Sequence, residues 1–380
     1  MISYTGNFNE GTTSAEREWR GSLANGKHHY NSKLTFDRED FQIRIMVYRV
    51  ALIVPNFTGK CLITNCLKAL EAQSFKEFEI LIIDNASTNG SLDEIRTLLR
   101  ESSLSSHVKL IPLNRNKGFA GGSLEGLNNA GAEYIALLNN DTEPDGSWLK
   151  ELVMAMDSDS KIGICASKLL VDGTNRIDSG GDGFSTSLRG FKRGEGEKAF
   201  LYDKKEYIFG ACAGAVLYRR KMIEEIGFLD EDFFLIHEDT DLNFRAQLYG
   251  WKVLYVPTAI VHHKVRSSIG HMSDTAVYYT LRNGEFVRMK NVPLAIFVRC
   301  LPELVVGMLT EFIYFAIKHR RLRLYVKAKA DAVRLLPRML KKRAIIMKNR
   351  KVDYKHLLGI LTPVWEKDFL KTKIKKFLCA

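Results

Sequence analysis

An uninterrupted apolar run that ends abruptly on polar residues constrains the fold of this chain more than any other stretch. The run, Tyr134–Leu138, has the length of a buried strand and is followed by Asn139, Asn140 and Asp141. In open α/β sheets, ligands bind beyond the carboxyl ends of the strands. Carboxylate and amide oxygens at such a place are ligands for Mg²⁺ or Mn²⁺, which can also hold a diphosphate. A polar turn would use the same residue types, so the surrounding sequence has to decide.

Similar apolar runs alternate with helical patterns along much of the chain. Runs at 50–54, 78–83, 108–112 and 162–166 predict further strands, and segments with helical spacing lie between several of them. This alternation predicts an α/β fold with a mostly parallel sheet and helices on both faces. Further strands end on polar or turn-forming residues: Pro55 and Asn56, Asp84 and Asn85, and His262 and His263.

The positive charge is concentrated at the C-terminus. Residues 318–380 contain 20 Lys and Arg against 4 Asp and Glu, a net of +16, whereas the rest contains 36 against 40, a net of −4. Apolar and basic residues interleave in this tail, as in helices that lie on anionic membranes. A helical cap with a solvated basic face is the alternative. No aromatic-interleaved basic face or known module is visible, so we expect no nucleic-acid partner.

Three regions are expected from these patterns. Residues 1–45 are polar and unpatterned, which predicts a disordered or non-native extension. Residues 46–290 form the α/β domain, and residues 291–380 form an amphipathic, membrane-associated helical region. Within it, charges interrupt the apolar stretch 292–317, so we expect an interfacial or re-entrant helix pair rather than a membrane span.

Cysteine usage and the N-terminal composition bear on location. The six Cys form no C-x-x-C pair, and residues 1–45 contain no apolar signal-like segment. Both features favour a reducing compartment. Together with the basic tail, they predict a protein that is peripheral on the cytoplasmic face of the cell membrane.

Five motifs in order resemble the family 2 glycosyltransferases, in particular their rhamnosyltransferase-like branch. This resemblance covers roughly residues 48–270 and implies a Rossmann-like GT-A fold. It also implies inverting transfer of a sugar, with rhamnose suggested by the branch, from a dTDP- or UDP-sugar to a glycan or polyprenyl-linked glycan. A non-catalytic nucleotide-sugar-binding protein of the same fold is the alternative. The matching segments are 54–57, 83–91, 116–122, 138–142, and 228–234 with Glu238-Asp239.

The resemblance implies a catalytic base and an acceptor side. Asp239, at a predicted helix start, would take the proton from the acceptor hydroxyl. The helix dipole alone also favours acidic residues there, which is the competing explanation. Glu238 and Gly214, the latter in a run of small residues, would face the acceptor.

Donor and metal sites are expected at the strand ends. Asp84 would accept the N3–H of uracil or thymine, and Lys117 would reach the base or the diphosphate. Asp141 would bind Mg²⁺ or Mn²⁺ with Asn139 and, by resemblance, His263. An Asx turn, a solvated lysine and polar strand-end residues are the respective alternatives. The expected donor-binding residues are Pro55, Asn56, Asp84, Asn85, Lys117 and Asn140.

Overall fold

The computed structural model describes residues 33–35, 44–46, 48–59, 61–264 and 272–366. The chain divides into two units, residues 1–47 and 48–380. In the first unit, β1 (Lys33–Thr35) and β2 (Arg44–Met46) pair antiparallel. The rest of the segment 1–45, expected to be disordered or non-native, lies outside the described residues.

The second unit is built on one sheet that contains ten strands among the described residues. A separate hairpin is formed by β10 (Asp182–Phe184) and β11 (Gly190–Lys192). The strands of the sheet are β3 (Val50–Asn56), β4 (Phe78–Asp84), β5 (Val108–Pro112), β6 (Tyr134–Leu138), β7 (Thr142–Pro144), β8 (Ile162–Val171), β9 (Ile177–Ser179), β12 (Glu206–Tyr207), β13 (Ala215–Arg219) and β14 (Lys252–His263).

The strand order is β12-β14-β8-β13-β6-β3-β4-β5, with β7 paired to β14 and β9 paired to β8. Strands β6, β3, β4 and β5 pair in parallel, as do β14 and β8. Strand β13 runs antiparallel to both β6 and β8, so the sheet as a whole is mixed. The chain between β8 and β13 is fully described and contains no α-helix that would serve as a parallel crossover.

Helices cover both faces of this sheet, which confirms the expected α/β fold. Strand β3 shows why, because Val50, Leu52 and Val54 point into one core and Ala51 and Ile53 into the other. The helices of this part are α1 (Leu62–Glu71), α2 (Ser91–Glu101), α3 (Gly118–Asn128), α4 (Trp148–Asp157), α5 (Arg220–Ile226) and α6 (Glu238–Leu248).

The C-terminal residues form helices that pack on this body. Met339 and Ile346 are buried in its core, and Arg343 donates to the carbonyl oxygens of Met289 (3.1 Å) and Val292 (2.6 Å). Within the described ranges, no helix combines the length and apolar character needed to cross a membrane. These helices are α7 (Asp274–Asn291), α8 (Leu294–Arg299), α9 (Leu301–Phe312), which continues as a π-helix (Ile313–Lys318), α10 (Leu322–Arg334), α11 (Leu336–Asn349) and α12 (Tyr354–Ile360).

Candidate active site

Three of the predicted donor residues form one buried hydrogen-bonded group at the ends of β3, β4 and β6. The Asn140 amide donates to Asn56 Oδ1 (2.8 Å), and the Asn56 amide donates to Asp84 Oδ1 (3.0 Å). Asp84 Oδ2 accepts from the backbone N–H of Ser87 (3.2 Å), and Asp84 is only 1% exposed. The group therefore ties three strand ends together. Asp84 is covered in this structure, and its contact with a nucleotide base stays a prediction.

Two residues beside this group were missed by the sequence reasoning. A Cβ on Gly59 would lie 2.0 Å from Asn140 Nδ2 and 2.4 Å from Asn56 Oδ1, so a larger residue there would have to displace this amide pair. Phe57 is 43% exposed at the end of β3, although large aromatic side chains are usually covered. The available signal was a glycine and an aromatic residue directly after a strand. The predicted Pro55 lies inside β3, opposite Ile83.

Asn85 and Lys117 are engaged within the fold. Asn85 donates to the carbonyl of Gly118 (2.8 Å) and accepts from the backbone N–H of Lys117 (2.8 Å), so both ends of its amide hold the loop before α3. The Lys117 ammonium pairs with the Glu125 carboxylate. Both side chains therefore make contacts that shape the loop, and their direct contact with the donor stays a prediction.

The start of α3 is locked by a close approach. Gly118 has φ +71°, and a Cβ there would lie 2.3 Å from the carbonyl oxygen of Phe234. The same oxygen accepts from the backbone N–H of Ala120 (3.2 Å). Two of the motifs that identified the family are therefore packed directly on each other.

The predicted metal residues Asp141 and His263 are brought together. Nε2 of His263 lies 3.3 Å from Oδ1 of Asp141, and both residues are buried. Nδ1 of His263 lies 2.8 Å from Asp178 Oδ2, and the Lys192 ammonium lies 2.8 Å from Asp178 Oδ1. His262 points away and lies 3.3 Å from Asp145, as expected for an extended strand.

The neighbouring charges shift the pKa values of His263 and Asp178. Burial alone would lower the pKa of His263, but the hydrogen bonds to Asp141 and Asp178 outweigh it and raise the pKa to about 9. Burial alone would raise the pKa of Asp178, but His263 and Lys192 hold it at about 2. Without a metal, the imidazole is therefore a protonated cation between two carboxylates.

Asp141 and His263 suit a hard divalent cation that takes part of its coordination from the substrate. Among the described residues, no three His, Cys, Asp or Glu side chains converge into a metal-binding group. Asn139 is half-buried, and its main-chain carbonyl already accepts from the Thr142 hydroxyl (2.6 Å). Mg²⁺ commonly uses one or two carboxylates together with water and substrate phosphates. Asp141 and His263 match such a partial site.

Asp239 lies at the N-terminus of α6 and is held by backbone donors. Its Oδ1 accepts from the N–H of Thr240 (2.6 Å), and its Oδ2 accepts from the N–H of Ala213 (3.2 Å). The next residue, Gly214, accepts from the N–H of Asn139 (2.9 Å) through its carbonyl. The segment Ala213–Gly214 thus contacts both Asp239 and the end of β6. Burial raises the pKa of Asp239 above its ordinary value.

The two neighbouring carboxylates have other surroundings. Burial, with the charges of Asp239 and Asp241, raises the pKa of Glu238 well above its ordinary value. Asp241 is fully buried and neutralised, which makes it a structural residue. Its partners are Arg245 (2.8 Å), Lys290 (2.9 Å) and Asn291 (2.8 Å). Of the three, Asp239 alone is partly exposed.

The sequence that forms this site matches a protein-family model. The model of glycosyl transferase family 2 matches residues 51–227, which carry the strand ends described above. The chain contains a family 2 glycosyltransferase domain. Asp239 and His263 of this glycosyltransferase lie beyond the matched residues.

Two curated relatives have names that include a lipid-linked sugar. A dolichyl N-acetyl-alpha-D-glucosaminyl phosphate 3-beta-D-2,3-diacetamido-2,3-dideoxy-beta-D-glucuronosyltransferase of Methanococcus voltae is 24% identical over 77% of this chain and 92% of its own length. An N-acetylglucosaminyl-diphospho-decaprenol L-rhamnosyltransferase of Mycobacterium tuberculosis is 24% identical over 53% of this chain and 72% of its own.

Solved structures confirm the GT-A fold of the glycosyltransferase. Residues 1–349 of S. aureus TarS, in complex with UDP-GlcNAc, match with a TM-score of 0.52 and 18% identity, over 82% of this chain and 92% of that one. GalNAc-T7 with UDP, GalNAc and Mn²⁺ matches with a TM-score of 0.53 and 16% identity, over 67% and 49%. At these identities the likeness concerns the fold alone.

Proposed function

We propose that this protein is an inverting glycosyltransferase that uses a nucleotide-sugar donor and a divalent cation. The observation that carries the proposal is the position of Asp239. It is the partly exposed carboxylate of its acidic cluster, held by the N–H groups of Ala213 and Thr240, and the adjacent Gly214 reaches the strand end that carries Asp141. A base beside a metal-binding strand end is what glycosyl transfer to a hydroxyl requires.

In the proposed mechanism, Asp239 removes the proton of the acceptor hydroxyl as its oxygen attacks the anomeric carbon of the donor. A raised pKa strengthens a carboxylate as a base, and burial raises that of Asp239. Glu238 is buried and its pKa is raised, and Asp241 is held by Arg245 and Lys290, so neither supplies a second, nucleophilic carboxylate. One base and no protein nucleophile give direct displacement with inversion.

Asp141 and His263 would hold Mg²⁺ or Mn²⁺, with Asn139 able to contribute through its side-chain oxygen. The cation supplies positive charge to the leaving diphosphate when bound. Asp178 orients the His263 ring through Nδ1, which leaves Nε2 directed at Asp141. The Mn²⁺ in the GalNAc-T7 structure supports a divalent cation as cofactor.

The nucleotide would lie over the ends of β3, β4 and β6. Phe57 offers an exposed ring for a base, and the group of Asn56, Asp84 and Asn140 supports the floor of the site. We retain UDP- and dTDP-sugars as donor classes, supported by the UDP-GlcNAc bound to TarS and by the name of the rhamnosyltransferase relative. The relatives' names also support a polyprenyl-linked glycan as acceptor.

We extend the proposal to a peripheral location on the cytoplasmic face of the membrane, with a revised contact surface. Met339 and Ile346 of the basic helix α11 pack into the body, so part of its apolar side is covered, whereas Leu340 and Ile345 are exposed. On helix α9 a charged residue faces inward and apolar residues face outward. Glu311 is buried, and apolar side chains are exposed at four-residue spacing along the other side. These side chains, with the π-helix, are Leu301, Val305, Leu309, Ile313 and Ile317.

Release of sugar from a panel of UDP-, dTDP- and GDP-sugars, with and without Mn²⁺, tests the proposal. We expect slow donor hydrolysis by the wild-type protein and its loss in Asp239→Asn. Tight donor binding with no turnover on any donor, in the presence of extracted lipid-linked glycans, would instead favour the non-catalytic binding protein.

A further inference from the structure

A cavity of about 100 Å³ lies next to the catalytic helix. Its walls come from the β10–β11 hairpin, the start of α6, and helices α7 and α9. The polar groups that line it include Arg189, His237, Thr240, Thr280 and Arg288. One water needs about 10 to 15 Å³ on this measure, so the space holds a group several waters in size.

Positive charge exceeds negative charge around this cavity. Arg189, Arg288 and Glu311 line it, and Arg189 pairs with Glu311. Behind this wall, Glu285 pairs with Arg288 and Lys329, and Lys329 also pairs with Glu311. These pairs leave one positive charge uncompensated. Burial and the charge of Arg288 lower the pKa of Arg189 to about 9, although Glu285 opposes the shift.

Two arginine nitrogens at this cavity make no hydrogen bond to the described residues. Arg288 is 1% exposed and bonds Glu285 through Nε (2.9 Å), but its Nη1 has no hydrogen-bond partner among the residues that the structure describes. The same holds for Nε of Arg189. Buried donors are rarely left unpaired, because the loss of hydration is not offset. A ligand with several acceptor oxygens would satisfy both groups.

The cavity connects two surfaces that the proposed reaction needs. On one side, Thr240 lines it and donates through its backbone N–H to the carboxylate of Asp239 (2.6 Å). On the other side, Glu311 of α9 lines it, and the opposite side of α9 carries the exposed Val305 and Leu309. The space thus lies between the catalytic base and the apolar surface.

We propose that this cavity binds the phosphate or diphosphate group of a lipid-linked acceptor through Arg189 and Arg288. The glycan hydroxyl then lies at Asp239 and the lipid chain follows the exposed side of α9. Guanidinium groups suit this ligand because their fixed N–H groups match phosphate oxygens. The assignment rests on the proposed glycosyl transfer, since it names the acceptor of that same site.

Binding of farnesyl diphosphate to the full chain tests the assignment, measured by calorimetry in excess chelator so that the metal-dependent donor site does not compete. Farnesol, inorganic pyrophosphate and glycerol phosphate serve as the lipid, free-anion and phospholipid-headgroup probes. The variants are Arg189→Gln, in which the altered side chain is partly exposed, and Arg288→Lys. The second keeps the positive charge but loses the fixed set of guanidinium N–H groups. Arg334→Gln, on the exposed side of α10, removes the same charge elsewhere.

We expect farnesyl diphosphate to bind more tightly than each of the three other probes. Arg189→Gln and Arg288→Lys should each weaken it about tenfold, the effect of one charge-assisted hydrogen bond, whereas Arg334→Gln should not. UDP binding in Mn²⁺ should be unchanged in all three variants and shows that they are folded.

Three outcomes would overturn the assignment. In the first, the cavity variants bind farnesyl diphosphate as tightly as the wild type does. In the second, the wild type binds inorganic pyrophosphate or glycerol phosphate as tightly as farnesyl diphosphate. In the third, Arg334→Gln weakens the binding of farnesyl diphosphate as much as the cavity variants do. Donor hydrolysis by the same wild-type sample separates the two proposals. If hydrolysis is present while the probe result fails, only the acceptor assignment falls. If no donor is hydrolysed or bound, the proposed function itself falls.

Discussion

The imidazole of His263 lies 3.3 Å from the carboxylate of Asp141, and the strand pairing explains why. In the register of β14 with β7, His263 is opposite Thr142, the residue after Asp141. The long strand β14 therefore delivers a side chain from far along the chain to the end of β6. A second carboxylate, Asp178, fixes the other side of the same ring at 2.8 Å.

Removing the carboxylate charge at Asp239 should abolish transfer and spare donor binding. Asp239→Asn keeps the shape of the side chain but cannot take a proton, so we expect a loss of about 10² to 10⁴ in kcat. Asp241→Asn is the matched control. Because it leaves Lys290 and Arg245 short of a buried counter-charge, it should cost about 3 to 5 kcal/mol of unfolding free energy. Turnover assays and thermal unfolding distinguish the two, and near wild-type transfer by Asp239→Asn would remove it from the role.

Asp141→Ala should weaken UDP binding in Mn²⁺ or Mg²⁺ and make it insensitive to chelator. The reason is that the variant removes the one carboxylate among the proposed metal residues. Asp145→Ala removes a carboxylate that faces His262 instead, and it should bind UDP as the wild type does. Calorimetric titration of UDP with and without chelator measures this. Wild-type turnover that persists undiminished in excess chelator would refute the metal site.

Stability of the metal-free protein should fall between about pH 6.5 and pH 9 through His263. Its pKa is near 6.5 when unfolded and about 9 when folded, so its stabilisation is complete below the first value and lost as pH rises through the second. The difference is of the order of 3 kcal/mol. His263→Gln lacks this contribution, so the gap in Tm between wild type and variant should shrink as pH rises. A gap that is constant from pH 6 to 9.5 would contradict the raised pKa.

Gly59→Ala should destabilise the nucleotide side of the site. Its Cβ would lie 2.0 Å from Asn140 Nδ2 and force apart the buried amide pair, a typical overpacking cost of about 1 to 3 kcal/mol. Gly359→Ala is the control, because no atom lies within 4 Å of a Cβ there. Tm and the UDP dissociation constant of both variants give the answer. Equal behaviour of the two would show that the Asn56–Asn140 contact yields easily.

Membrane binding should depend on the outer side of α9 more than on the basic helix α11. Leu309→Glu places a charge at a side chain that is 57% exposed, and co-sedimentation with anionic vesicles should drop even at high salt. Lys341→Glu on α11 should weaken binding only at low salt, because its contribution is screened. If Lys341→Glu has the larger effect at high salt, or neither has any, the apolar side of α9 is not the contact surface.

The sequence alone determined the strand–helix alternation, the polar residues at or just after strand ends (Asn56, Asp84 and Asp141), and the helix that begins at Glu238–Asp239. These follow from local periodicity and from the polar residues that end each strand, both of which are written in contiguous stretches. The mixed direction of the sheet was not visible there, because strand direction depends on how β13 is inserted between β6 and β8.

Only the tertiary structure decided which polar groups are already engaged. Asn85 holds the loop at Gly118, Lys117 pairs with Glu125, and Asp84 is covered by its neighbours, none of which a motif records. The same applies to the tail, where α11 buries Met339 and Ile346 in the core while α9 exposes a row of apolar side chains. Burial and ion pairing are properties of residues distant in sequence, so periodicity can show that a helix has an apolar side but not what covers it.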